Sequence, residues 1–125
     1  MALEMERKYG ITRIEIVHGR ALVVLDPENG LNFTIQQLMI LQLVYQRLKR
    51  REIAGILGRS LGYVDETMQR TFERNYEFLG DISGQPRAMY LAVQAQLRGW
   101  LEDEFILSVK EHLRMSKETR RRSEK

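Results

Sequence analysis

The sequence predicts a mainly α fold: an N-terminal β-hairpin, a central unit of three short helices, and a C-terminal long helix or helix pair. Three observations carry this. Apolar residues alternate at period two between Ile11 and Leu25, then recur every three or four residues from Leu38 onward. That change separates a half-buried strand from one face of a helix. Turn-forming residues gather between the periodic stretches, in "DPENG" and "DISGQP". The 125 residues, 43% hydrophobic and 30% charged, suit one globular domain of ordinary size.

Taken in order, residues 1–30 are expected to hold the hairpin. Ile14, Ile16, Leu22 and Val24 fall on alternating positions around His18-Gly19, where glycine supplies the positive φ of a tight turn. Two strands alone are marginal in water, so they must pack on helices or on a second copy of the chain. Residues 31–80 form the three-helix unit. Its first helix is expected over Ile35–Arg47, capped by Thr34, with Leu38, Leu41, Val44 or Tyr45, and Leu48 on one face. The second runs from Arg50 to Leu57 with Ile53, Ala54 and Leu57 inward, and Gly58 stops it as a left-handed residue. Ser60 caps the third, which turns Val64, Met68, Phe72, Tyr76 and Leu79 inward before Gly80. In residues 81–116, Tyr90, Val93, Leu97, Trp100, Leu101, Phe105, Val109 and Leu113 keep helical spacing, with Gly99 inside the pattern as a candidate break. The final stretch "SKETRRRSEK" has no apolar anchor, and residues 117–125 are expected to be a mobile basic tail.

Several function classes are excluded by composition. No apolar run approaches the ~20 residues that cross a bilayer, and the first ten residues lack a secretion-signal layout. There is no cysteine, which removes disulfides and thiolate metal sites. These features predict a cytoplasmic protein with no membrane partner. His18 and His112 are the only histidines and share no element, so no metal ligand set is expected. No phosphate loop, nucleophile elbow or spaced carboxylate pair appears, and Glu102-Asp103-Glu104 read as a solvated helix face. The expectation is a protein without enzymatic activity, cofactor or metal. Net charge is only +3, but cations cluster at Lys49, Arg50 and Arg51 and at Arg120–Arg122.

The corner at "REIAGILGRSLGYV", Arg51 to Val64, carries the functional reading. Two short helices meeting at a tight glycine turn make a helix-turn-helix. Ala54 is small where the next helix crosses, Gly58 permits the bend, and Val64 closes the core between the two.

From Phe33 to about residue 79, this stretch resembles the DNA-binding domain of LuxR-type regulators and the fourth region of bacterial sigma factors. The family opening "LT" appears as Phe33-Thr34, "VLxL" as Ile40–Leu43, and "KEIAxxLGxSxxTV" as "REIAGILGRSLGYV" without a gap. The hairpin and the C-terminal helices lie outside the resemblance. It implies a sequence-specific transcriptional regulator whose reading helix enters the major groove of double-stranded DNA. Gly62, Tyr63, Glu66, Gln69 and Arg70 would face bases: Gln69 an adenine, Arg70 a guanine, Glu66 a cytosine amino group. Thr34, Lys49, Arg50, Arg51, Arg59 and Arg74 would hold phosphates. Readers of this kind pair up on two half-sites, so a homodimer through the hairpin and C-terminal helix is expected. From Leu61 to Glu77, four acids stand against two arginines. An adaptor contacting a sigma factor or RNA polymerase without reading DNA is the alternative.

Overall fold

A computed structural model describes residues 2–7, 10–17, 21–80 and 86–123. The chain opens with β1 (Ala2–Arg7), β2 (Gly10–Val17), β3 (Ala21–Asp26) and β4 (Leu31–Thr34), an antiparallel sheet in the order β1-β2-β3-β4. Six helices follow: α1 (Ile35–Tyr45), α2 (Arg50–Leu57), α3 (Leu61–Arg74), α4 (Tyr76–Leu79), α5 (Arg87–Leu97) and α6 (Asp103–Ser123). The mainly α class holds.

The predicted hairpin is the β2–β3 pair, with Ile14 opposite Val24 and Ile16 opposite Leu22. It is extended on both sides into a four-stranded meander. The His18-Gly19 turn lies outside the described residues, as do Asp81 to Gln85 of the predicted loop. The row Ile14–Val24–Phe33 is fully buried, and the adjoining row of Thr12, Asp26 and Leu31 is buried with it. These residues meet α1, whose Ile35, Leu38, Ile40 and Leu41 are covered nearly all round. Sheet, central helices and C-terminal helices thus share one core.

Thr34 caps α1 as expected, inside a capping box: its hydroxyl accepts from the Gln37 N–H and Gln37 Oε1 accepts from the Thr34 N–H. The helix ends at Tyr45, two residues early. Arg47 takes a left-handed conformation (φ 65°) and the Leu48 N–H closes back on the Leu43 carbonyl.

The C-terminal segment is a helix pair broken at Gly99 (φ 77°). In α5 the buried face is Leu91, Ala92 and Ala95, while Val93 and Leu97 are exposed. The apolar spacing misread this phase because two alanines join Leu91 on the buried face in place of Val93 and Leu97. Trp100, Leu101, Phe105 and Val109 are buried in the chain's own core, so this stripe is not left over for a second copy. Trp100 sits edge-on to Phe33 at 6.0 Å and its indole N–H donates to Thr12 Oγ1 at 2.9 Å. Helix α6 runs on through Ser123, into the stretch that the sequence left without an element. Its Lys, Glu and Arg residues are good helix formers and need no apolar anchor to continue a helix already begun.

Asp26 ties the sheet to the α5–α6 corner. Its carboxylate accepts from the Glu28 and Asn29 N–H groups and from Asn29 Nδ2, and pairs with Arg98 Nε at 3.0 Å. Both side chains are almost wholly buried. Burial pushes the carboxyl up, but the hydrogen bonds from Asn29 and Arg98 outweigh it and hold Asp26 below its ordinary value. The folded chain therefore binds that proton less tightly than the unfolded chain does. The stabilisation is full above the ordinary carboxylate range and is lost as pH falls below about 4 through the lowered value. Unfolding free energy measured against pH should drop on that acid limb. Asp26→Asn should flatten the limb while lowering stability at neutral pH, where Arg98 loses its counter-charge.

Candidate nucleic-acid interface

Helix α2 spans Arg50–Leu57, and Gly58 follows it in the left-handed region (φ 64°, ψ 36°). The Arg59 N–H reaches back to the Ala54 carbonyl at 2.9 Å, closing the helix end. A Cβ at Gly58 would touch nothing within 4 Å, so backbone conformation and not space calls for glycine. Ser60 then caps α3, its Oγ accepting from the Tyr63 N–H at 3.0 Å. Ala54 and Val64 are buried between the two helices.

Val64, Met68 and Thr71 form the buried side of α3. Gly62, Glu66, Gln69 and Arg70 lie exposed on the opposite side, with Tyr63 half-buried at its edge. The five predicted base-facing residues therefore share one outward face. Helix α3 ends at Arg74, not at Leu79. Asn75 breaks it (φ −108°, ψ 25°) and α4 restarts in a new phase. Tyr76, expected inward, is 76% exposed as a result, and Phe72 is half-buried. Leu79 is buried as expected.

Asn75 explains itself. It is buried, its Oδ1 accepts from the Asn32 N–H at 2.8 Å, and its Nδ2 donates to the Asn32 and Thr71 carbonyls at 2.9 and 3.0 Å. One amide side chain thus satisfies both backbone groups of a residue on the sheet edge and docks α3 against β4. A leucine here would leave those groups unpaired.

Cations flank the exposed face of α3. On one side Lys49, Arg50 and Arg51 open α2, all exposed, with Arg47 just before them. On the other side a cleft of about 670 Å³ separates α3 from the start of α1, lined by Thr34, Gln36, Tyr63, Arg70 and Arg74 and by the acid Glu73 among others. Thr34 is half-buried there, and the capping box already uses its oxygen as an acceptor, so only its O–H is left to offer an anion. Arg59 is exposed and lies over the Tyr63 ring, 5.0 Å from its centre. Arg74 Nη1 donates to Asn32 Oδ1 at 3.1 Å.

Two predicted contacts are held in ion pairs within the chain, and Gln69 Nε2 donates to Glu73 Oε1 at 3.5 Å. Arg50 pairs with Asp65 at 2.7 Å and Arg70 with Glu66 at 2.6 Å. All four side chains are about half exposed or more, and such pairs are worth roughly 0–1 kcal/mol, little enough to exchange for a phosphate or a base edge. Gln36 and Arg47, both exposed, join this surface without having been singled out from the sequence. For Arg47 a signal existed: it stands where a helix end favours glycine.

Among the described residues no three His, Asp or Glu side chains are grouped to hold a metal ion, and no helix is long and apolar enough to cross a membrane. Compared with protein-family models, curated proteins and solved structures, the chain finds no match.

Proposed function

We propose that this protein is a cytoplasmic, non-enzymatic transcriptional regulator that binds double-stranded DNA through a helix-turn-helix of the LuxR and sigma-factor kind. Helix α3 enters the major groove. Gly62, Tyr63, Glu66, Gln69 and Arg70 meet base edges, while Thr34, Lys49, Arg50, Arg51, Arg59 and Arg74 take phosphates. A pair of copies occupies two half-sites.

One observation carries this reading: the exposed face of α3 stands between the Lys49–Arg51 cluster and the cleft at the start of α1. A groove-bound helix needs anion-binding groups on both of its flanks, because the phosphates run along both sides of the groove. The make-up of the cluster supports the reading. Lys49 is the residue before α2, a position where Ser, Thr, Asp or Asn is worth about 1 kcal/mol. Arg47 adopts a conformation that costs a side-chain-bearing residue roughly 1–2 kcal/mol. Cations at the positive end of a helix also oppose its dipole, which here leaves Glu52 to satisfy it and to accept from the Lys49 N–H. Three local preferences are set aside for positive charge, which suits a surface that meets phosphate.

The acids on α3 favour the second reading, an adaptor for a sigma factor or RNA polymerase. Binding measured against salt separates the two. A DNA reader loses affinity steeply as salt rises. Arg70→Ala should relax base preference, whereas Arg50→Ala should weaken all sequences alike. Asp65→Asn frees Arg50 and removes a charge that repels phosphate, so it should tighten binding several-fold at low salt. An adaptor would show none of these effects and would bind its protein target with Arg70 replaced.

A further inference from the structure

We infer that Asn29 is a self-modification site, at which the chain's own Gly30 nitrogen converts the Asn29 amide to aspartate or isoaspartate, and that Asp26 guards it in the folded protein. The inference rests neither on DNA nor on a pair of copies.

Asn29 and Gly30 lie in the turn between β3 and β4, and both are exposed. An asparagine followed by glycine is the pairing most open to attack from within the chain, because glycine brings no Cβ to crowd its own nitrogen. The space beside the Gly30 Cα is open as well, since a Cβ built there would meet nothing within 4 Å. In the step itself the Gly30 nitrogen gives up its proton and bonds to the Asn29 Cγ. The Cγ–Nδ2 bond breaks, and that nitrogen leaves with the proton as ammonia. Water then opens the five-membered imide at either carbonyl, which leaves aspartate or isoaspartate. Water is the sole co-reactant, and nothing is oxidised or reduced.

Asp26 holds the groups that this step must move. The Gly30 N–H donates to the Asp26 carbonyl at 2.9 Å, and Asn29 Nδ2 donates to Asp26 Oδ2 at 2.8 Å. The Asn29 N–H is fixed on Asp26 Oδ1 at 3.2 Å. The attacking and the leaving nitrogen are thus tied to different oxygens of one residue. That residue is itself anchored, almost wholly buried and paired with Arg98. The step therefore waits for the turn to open, a local event that costs less than global unfolding.

The product cannot rebuild what it replaces. Where an amide donated to Asp26 Oδ2, a carboxylate would face a carboxylate. Like charges so close disfavour each other's charged form, and this one would compete for the single Arg98 guanidinium. Disturbing a buried ion pair is strongly destabilising. One opening of the turn followed by this reaction would therefore loosen the tie between the sheet and the α5–α6 corner, and refolding would not restore it.

The full chain, incubated native and in urea in the same buffer, tests this when residue 29 is followed by peptide mapping that separates asparagine, aspartate and isoaspartate. The unfolded chain should convert at least about tenfold faster than the native one. Asn29→Asp, which installs one of the products, should lower the thermal midpoint by about 5 °C or more. Asn29→Ala, which loses the donor without adding a charge, should lower it distinctly less. Should Asn29→Asp fail to fold, the two conversion rates decide. Equal rates in the native and unfolded chains overturn the inference, as does an Asn29→Asp protein as stable as Asn29→Ala.

Discussion

A variant with alanine at Lys49, Arg50 and Arg51 is expected to lose affinity for duplex DNA by on the order of 100-fold at ordinary salt, with its fold intact. All three side chains are exposed at the start of α2, and none is part of the core. Each cation that neutralises a phosphate releases a counterion and contributes about 0.9 to the slope of log affinity against log salt. Removing three should lower that slope by about 2.7. The loss should be the same on every sequence, because phosphate contacts carry no base information. Titrations at several salt concentrations, with the thermal midpoint as a control, read the slope and the fold separately. The midpoint should change little, since the only partner lost is the exposed Arg50–Asp65 pair.

Trp100→Ala should have the largest effect on stability, about 3–5 kcal/mol. Against the 5–15 kcal/mol typical of a domain, that approaches unfolding at physiological temperature. Trp100 is wholly buried at the corner between α5 and α6 and packs on Phe33 of β4. The truncation opens a cavity where sheet and helices meet, and it strands the buried Thr12 hydroxyl that the indole N–H now satisfies. Trp100→Phe should cost distinctly less, because it keeps most of the volume and loses mainly that bond. Denaturant midpoints for the two variants measure the difference.

The corner that carries the proposed function was readable residue by residue, because its determinants are local. Gly58 needs only its own φ, Ser60 caps a helix three residues away, and the helical period alone sorts Val64 and Met68 from Glu66, Gln69 and Arg70. What escaped depends on distant partners. Strand β1, "ALEMER", is made of helix formers and is a strand only because β2 lies beside it. Asn75 looks like a polar intruder at an apolar position until Asn32, 43 residues earlier, is placed against it. The phase of α5 was lost because Ala92 and Ala95 share the buried face with Leu91 while Val93 and Leu97 stay outside. The Arg50–Asp65 pair, 15 residues apart, joins two helices whose crossing no short window contains.

Selection of bound fragments from random duplex DNA tests the central claim most directly. The account predicts enrichment of a short two-fold-symmetric motif by the wild-type protein, with positions in each half-site that lose their base preference when Arg70 is alanine. Recovery of fragments without any shared motif, at a yield indifferent to salt, would contradict it.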